Sequence, residues 1–214
     1  MERLIEYLDR MQRKERQALF LEVVGHRALR PSPAFLARVS EELGITFPDA
    51  SEVHGYLDFH LDWVYVALVL AGEEEPDEGP KFRVRDGGID ATPEDVDLLL
   101  AFDEADRTHL ILIEAKLDTG FTTSQIRSKA KRLRQIFGDD GCAIPGVEPH
   151  FLLSSPTRSR RLDDRLDDHD VPTWMRRGGT FAWISLPPPE NAIRVTRCDE
   201  NGTRSRLGGW WRRR

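Results

Sequence analysis

Cysteine is nearly missing from this 214-residue chain, which holds only Cys142 and Cys198. Two cysteines so placed make neither a disulfide framework nor a metal-ligand spacing, so both are read as reduced thiols. Histidine is sparse too, and no pair stands at metal spacing with other ligands to back it; His54 and His60 are read as incidental. Uninterrupted apolar runs of about eighteen residues are absent, so no membrane span is expected. The opening Met1-Glu2-Arg3-Leu4 lacks the apolar core of a signal peptide, and a cytoplasmic location is the expectation. No internal repeat occurs, which removes the solenoid architectures.

Net positive charge is lacking as well. The formal net charge is −6, which weighs against a general polyanion binder, but the charges are unevenly spread. Acids crowd into residues 73–106. Bases crowd into 127–134, 158–161, 176–177 and 212–214. Local patches rather than the sum govern contact with phosphates.

What is present is enough chain for one substantial domain and barely enough for two. The pattern divides into an N-terminal helical segment, 1–46, and a domain over 47–214, together one compact unit. Residues 1–24 read as an amphipathic helix carrying Leu4, Ile5, Leu8, Met11, Leu19, Phe20 and Val23. Its polar middle, 12–17, is expected to be exposed or broken. Ser32-Pro33 starts a second helix and Gly44 ends it. These helices are a docking surface, a homodimer contact or a cover for the core. Residues 51–71 read as a long helix, apolar all round in its second half, with Asp58 and Asp62 on one face. An acid on such a helix needs a partner.

An acidic loop is expected at 73–80, a short strand at 81–85 and a turn at 86–88. After residue 122 or 123 a helix runs to Phe137, capped by Thr122 or Thr123 and stopped by Gly138. Its inner stripe is Ile126, Ala130, Leu133 and Phe137, with Gln125 and Lys129 on a neighbouring face. Short strands follow at 151–154 and 180–186. Residues 158–170 read as a polar helix or a surface segment. Asn201-Gly202 marks a hairpin turn between strands at 192–198 and 203–207. Trp210 and Trp211 stack on bases or pack back on the sheet.

The chemistry gathers at residues 95–116. Two apolar runs flank a polar connector at 103–108, the pattern of a β-hairpin. Folded symmetrically about Ala105 and Asp106, it sets Asp97 opposite Glu114 and Asp95 opposite Lys116, because side chains alternate across a strand. Opposed Cβ atoms lie roughly 4.5–5.5 Å apart. Two carboxylates that close repel unless a cation stands between them, and hard ions such as Mg²⁺ take oxygen ligands of this kind.

Asp97, followed by Glu114-Ala115-Lys116 at the end of the next strand, resembles the PD-(D/E)xK signature of the restriction-endonuclease-like nucleases. The helix with Gln125 resembles the one that supplies a glutamine in many members. The resemblance covers residues 58–156. The proline that often precedes the first acid is replaced by Val96, with Pro93 further back, so Asp95 rivals Asp97 as first ligand.

The resemblance implies an α/β fold, a mixed sheet flanked by helices. It also implies Mg²⁺, for which Mn²⁺ can substitute, held by Asp97, Glu114 and the Ala115 carbonyl. Asp62 joins them from the preceding helix, with Glu52 and Asp58 behind it. Lys116 then orients or polarises the attacking water, and Gln125 donates to a phosphate or to that water. The implied activity is phosphodiester hydrolysis in DNA. Two other classes remain open: a nucleic-acid-binding module that does not cut, and an interaction protein whose acidic centre takes a basic partner.

Overall fold

In a computed structural model of the chain, the residues described are 2–72, 94–117 and 120–213. The acidic loop, strand and turn expected between 73 and 88 lie outside them. The helices are α1 (Glu2–Met11), α2 (Glu15–Val24), α3 (Pro33–Leu43), α4 (Leu61–Gly72), α5 (Thr123–Phe137) and the single-turn α6 (Arg160–Asp163). The strands are β1 (His54–His60), β2 (Asp95–Glu104), β3 (Arg107–Ala115), β4 (Val147–Ser155), β5 (Ala182–Ser185), β6 (Val195–Cys198) and β7 (Trp210–Arg213).

The first five strands form one mixed sheet in the order β1-β2-β3-β4-β5. The first two pairings are antiparallel and the last two parallel. Parallel neighbours need a crossover, and α5 supplies it between β3 and β4. The central strand β3 is covered on both faces, which is why Leu110 to Ile113 form an unbroken apolar run, each at most 2% exposed. The fold is therefore α/β, a mixed sheet flanked by helices.

One face of the sheet is covered by α1, α4 and α5. Leu4 and Leu8 of α1, Val64 of α4 and Ile126 and Leu133 of α5 share a cluster with Leu99, Leu112 and Phe151. The other face is covered by α3, whose Leu36, Val39 and Leu43 meet Leu100, Ile111 and Leu152. The caps work as their residues dictate. Ser32 accepts from the Phe35 N–H and Gly44 takes the left-handed conformation that ends α3. On the α3 face His109 is buried and His150 nearly so. Burial pushes His150 down to about 4, with His109 and Arg177 adding to the effect against Glu148. The ring is thus neutral at neutral pH and can be enclosed without a counter-charge.

Three expectations are corrected. Residues 51–71 are not one helix: Ala50–Glu52 is a 3₁₀ turn, β1 follows, and only then α4 begins. Pairing with β2 outweighs helical spacing here, and Gly55 allows the Leu29 carbonyl within 3.0 Å of where a Cβ would stand. The first helix breaks at 12–14, because its polar middle docks on the edge strand. Gln12 donates to the Leu57 carbonyl at 2.8 Å and Gln17 accepts from the Leu57 N–H at 2.6 Å. Beyond that break Leu19, Phe20 and Val23 are exposed rather than inward. Third, β6 pairs with β7, so Trp210 and Trp211 lie in the second strand of the ribbon, while 203–207 forms no strand and meets β6 through the bridge from Arg204 to Cys198 and the Ser205 N–H on the Arg197 carbonyl.

Candidate functional site

Hairpin register decides which acids meet. Leu98 pairs with Ile113 and Leu99 with Leu112. Continued one step beyond the last paired residues, the same register sets Asp97 across from Glu114. The two-residue turn that sets this register holds Ala105 at φ 53°, in the left-handed region. Leu99 and Ala101 of β2, and Leu110 and Leu112 of β3, lie in the cluster under α4 and α5. Alternation therefore puts Asp97 and Glu114 on that same face.

Asp97 Oδ2 accepts from the Ala115 N–H at 2.6 Å. Glu114 is only 8% exposed, and its two oxygens are divided between lysines. Oε1 lies 3.2 Å from Lys116 Nζ, and Oε2 lies 2.8 Å from Lys129 Nζ. Lys129 also donates to the Asp95 carbonyl and stands 4.0 Å from Glu94. Two ammonium groups on one nearly buried carboxylate offset the cost of taking all three charges out of water.

Asp97 is shifted by its surroundings. Burial raises it above its ordinary value, and the charge of Glu114 pushes in the same direction. The Ala115 N–H and the ammonium groups of Lys116 and Lys129 oppose this without cancelling it. The repulsion implied by opposed acids is thus felt at Asp97.

Not every expected residue joins this centre. Asp62, in the first turn of α4, takes Arg132 Nη1 at 2.9 Å. Among the described residues, the ligand atoms of Asp62, Asp97 and Glu114 do not gather within 4.8 Å of one another. The acid finds its cationic partner one turn further along α5 than Lys129. Asp58 is held by Arg16 at 3.0 Å, on the edge strand rather than a helix. Glu52 is exposed in the 3₁₀ turn. Asp95 gives its carboxylate to Lys14 at 3.4 Å, so of the two rivals Asp97 is the one beside Glu114. Gln125 completes a capping box at the start of α5: its N–H donates to Thr122 Oγ1 at 3.3 Å, and its Oε1 accepts from the Thr122 N–H at 3.4 Å. Its amide oxygen is used by the helix end.

Lys129 is the residue that sequence reasoning passed over. The signal was available: it stands three residues from Ile126 and one from Ala130, at the margin of the buried stripe. A lysine there needs a buried acid.

No family model matches the chain, and no curated protein or solved structure matches it.

Proposed function

We propose that the chain is a metal-dependent nuclease, hydrolysing phosphodiester bonds in DNA on a restriction-endonuclease-like version of this sheet. The observation that carries the reading is the closeness of Asp97 to Glu114, whose charge it feels, with Asp97 bonded to the next residue's N–H and Lys116 bonded to Glu114. The donor chemistry fits a hard divalent cation: two carboxylates on adjacent strands, one of them raised chiefly by burial and further by the other's charge. When bound, Mg²⁺ or Mn²⁺ would polarise a phosphoryl oxygen and acidify a water.

The chain's own groups divide the remaining work. Asp97 and Glu114, with the Ala115 carbonyl, would hold the ion. Lys129 pins Glu114 through the ion pair at Oε2. Lys116 offers a partly exposed ammonium next to the acids, placed to orient the attacking water and to stabilise charge on a phosphate oxygen. A polyanionic substrate is favoured by the C-terminal ribbon: residues 190–213 carry six arginines against three acids, and Trp210 and Trp211 are 61% and 69% exposed.

The test is a panel of labelled duplex DNA, single-stranded DNA and RNA incubated with Mg²⁺, Mn²⁺ or EDTA. Cleavage of DNA by the parent, lost with EDTA and in Glu114→Gln, is expected. Intact substrates under both metals would overturn the reading, and binding without cleavage would replace it with a module that does not cut. No helix among the described residues is long and apolar enough to cross a membrane.

A further inference from the structure

A second polar cluster lies on the opposite face of the sheet, toward the other end of β3. His109 pairs with Glu148 across β3 and β4, and His150 follows two residues on. Leu152, two further along, lies in the α3-side cluster, so Glu148 and His150 face that side as well. His109 Nδ1 stands 3.1 Å from His150 Nε2. Glu148 Oε1 stands 3.8 Å from His150 Nε2. One ligand atom from each of the three residues lies within 4.8 Å of the other two. Ligands of a tetrahedral zinc ion at ~2.0–2.1 Å are about 3.3 Å apart. The His109–His150 and Glu148–His150 separations, 3.1 and 3.8 Å, already stand close to that spacing.

The surroundings fix these ligands as a metal site requires. His109 Nε2 lies 3.2 Å from Glu104 Oε2. A carboxylate only accepts, so the proton sits on Nε2 and the lone pair of Nδ1 is turned toward His150. Phe102 stacks on the His109 ring, with centroids 4.7 Å apart and planes 6° from parallel. Arg107 Nη1 holds Glu148 Oε2 at 3.1 Å, while Oε1 is the oxygen on the His150 side. A cavity of about 630 Å³ is lined by Glu148 and His150 together with Arg107, Arg177 and Cys142.

We propose that His109 Nδ1, His150 Nε2 and Glu148 Oε1 bind a transition-metal ion of the zinc class, with a fourth position open to this cavity. Without metal, His150 Nε2–H donates to His109 Nδ1. On metal binding that proton moves to His150 Nδ1, so the ring stays neutral and no net proton leaves. Imidazole nitrogens favour Zn²⁺ over Mg²⁺, which separates this site from the all-oxygen donors of Asp97 and Glu114.

The test is calorimetry of the metal-free full chain with Zn²⁺ in the presence of excess Mg²⁺, with Co²⁺ absorption as the second readout. One Zn²⁺ per chain is expected, with Co²⁺ bands of a four-coordinate site and a rise in thermal midpoint on adding Zn²⁺. All three should be lost in His150→Gln and weakened in Glu148→Gln. All three should persist in Asp97→Asn, which keeps this test apart from the nuclease reading. His150→Gln retains a donor toward His109, and its metal-free midpoint should match the parent. Absence of stoichiometric Zn²⁺ binding, or unchanged binding in His150→Gln, would overturn the proposal and leave a histidine–histidine hydrogen bond.

Discussion

Lys129 Nζ lies 2.8 Å from Glu114 Oε2, joining the helix after β3 to the acid at the end of that strand. Both side chains are nearly enclosed, at 6% and 11% exposed. Removing one member of such a pair leaves the other buried and less compensated, typically at a cost of about 3–5 kcal/mol. Lys116 still neutralises Glu114, so Lys129→Met should destabilise by about 2–3 kcal/mol, below that range. Urea unfolding measures it. Adding Glu114→Gln to Lys129→Met should recover part of the loss. A single variant as stable as the parent would mean the pair contributes nothing.

Lys116 should separate cleavage from binding. Its ammonium is a removable electrostatic donor, and such groups are worth roughly 10²–10³ in rate. Lys116→Ala should lose cleavage by about that factor while Mn²⁺ binding at Asp97 and Glu114 is retained or tightened, because a competing cation has gone. Calorimetry beside a cleavage assay reads both. Cutting at the parent rate would make Lys116 a structural ion-pair residue.

Asp97 should be held at some expense of stability. Its carboxyl is raised above the ordinary 3.8 in the fold, chiefly by burial, so folding disfavours its ionised form. The sign follows: its stabilising contribution is present below the unfolded pKa and is lost as pH rises through the raised folded value. Asp97→Asn keeps an oxygen for the Ala115 N–H and removes the charge. The variant should therefore melt higher than the parent at neutral pH in metal-free buffer, with the difference shrinking toward pH ~4. It should also be inactive. A variant that melts lower at neutral pH would show that the lysines more than compensate the charge.

The exposed tryptophans of the ribbon should bear on substrate rather than on the fold. Stacking of one base on an aromatic side chain is worth about 1–3 kcal/mol. Trp210→Ala with Trp211→Ala should weaken single-stranded DNA binding by about tenfold or more and leave the thermal midpoint nearly unchanged. Fluorescence anisotropy checks the first and calorimetric melting the second. Unchanged affinity would remove the ribbon from the substrate path.

By itself the sequence determined the parts that rest on local chemistry. The connector around Ala105 and Asp106, with apolar runs on each side, defined the hairpin, and its symmetric register brought Asp97 opposite Glu114. Ser32 with Gly44, and Thr122 with Gly138, bounded their helices because caps act over three or four residues. Tertiary structure alone decided the rest. Residues 54–60 suit either period until the edge of β2 offers them a ladder of backbone hydrogen bonds. Asp62 needed a cation, but whether that was a metal or Arg132 depended on how α5 lies against α4. Lys129 meets Glu114 only because α5 crosses back over the sheet. His109 and His150, forty-one residues apart, are brought within 3.1 Å only by the parallel pairing of β3 and β4. Such contacts depend on strand pairing and helix packing, which no spacing along the chain encodes.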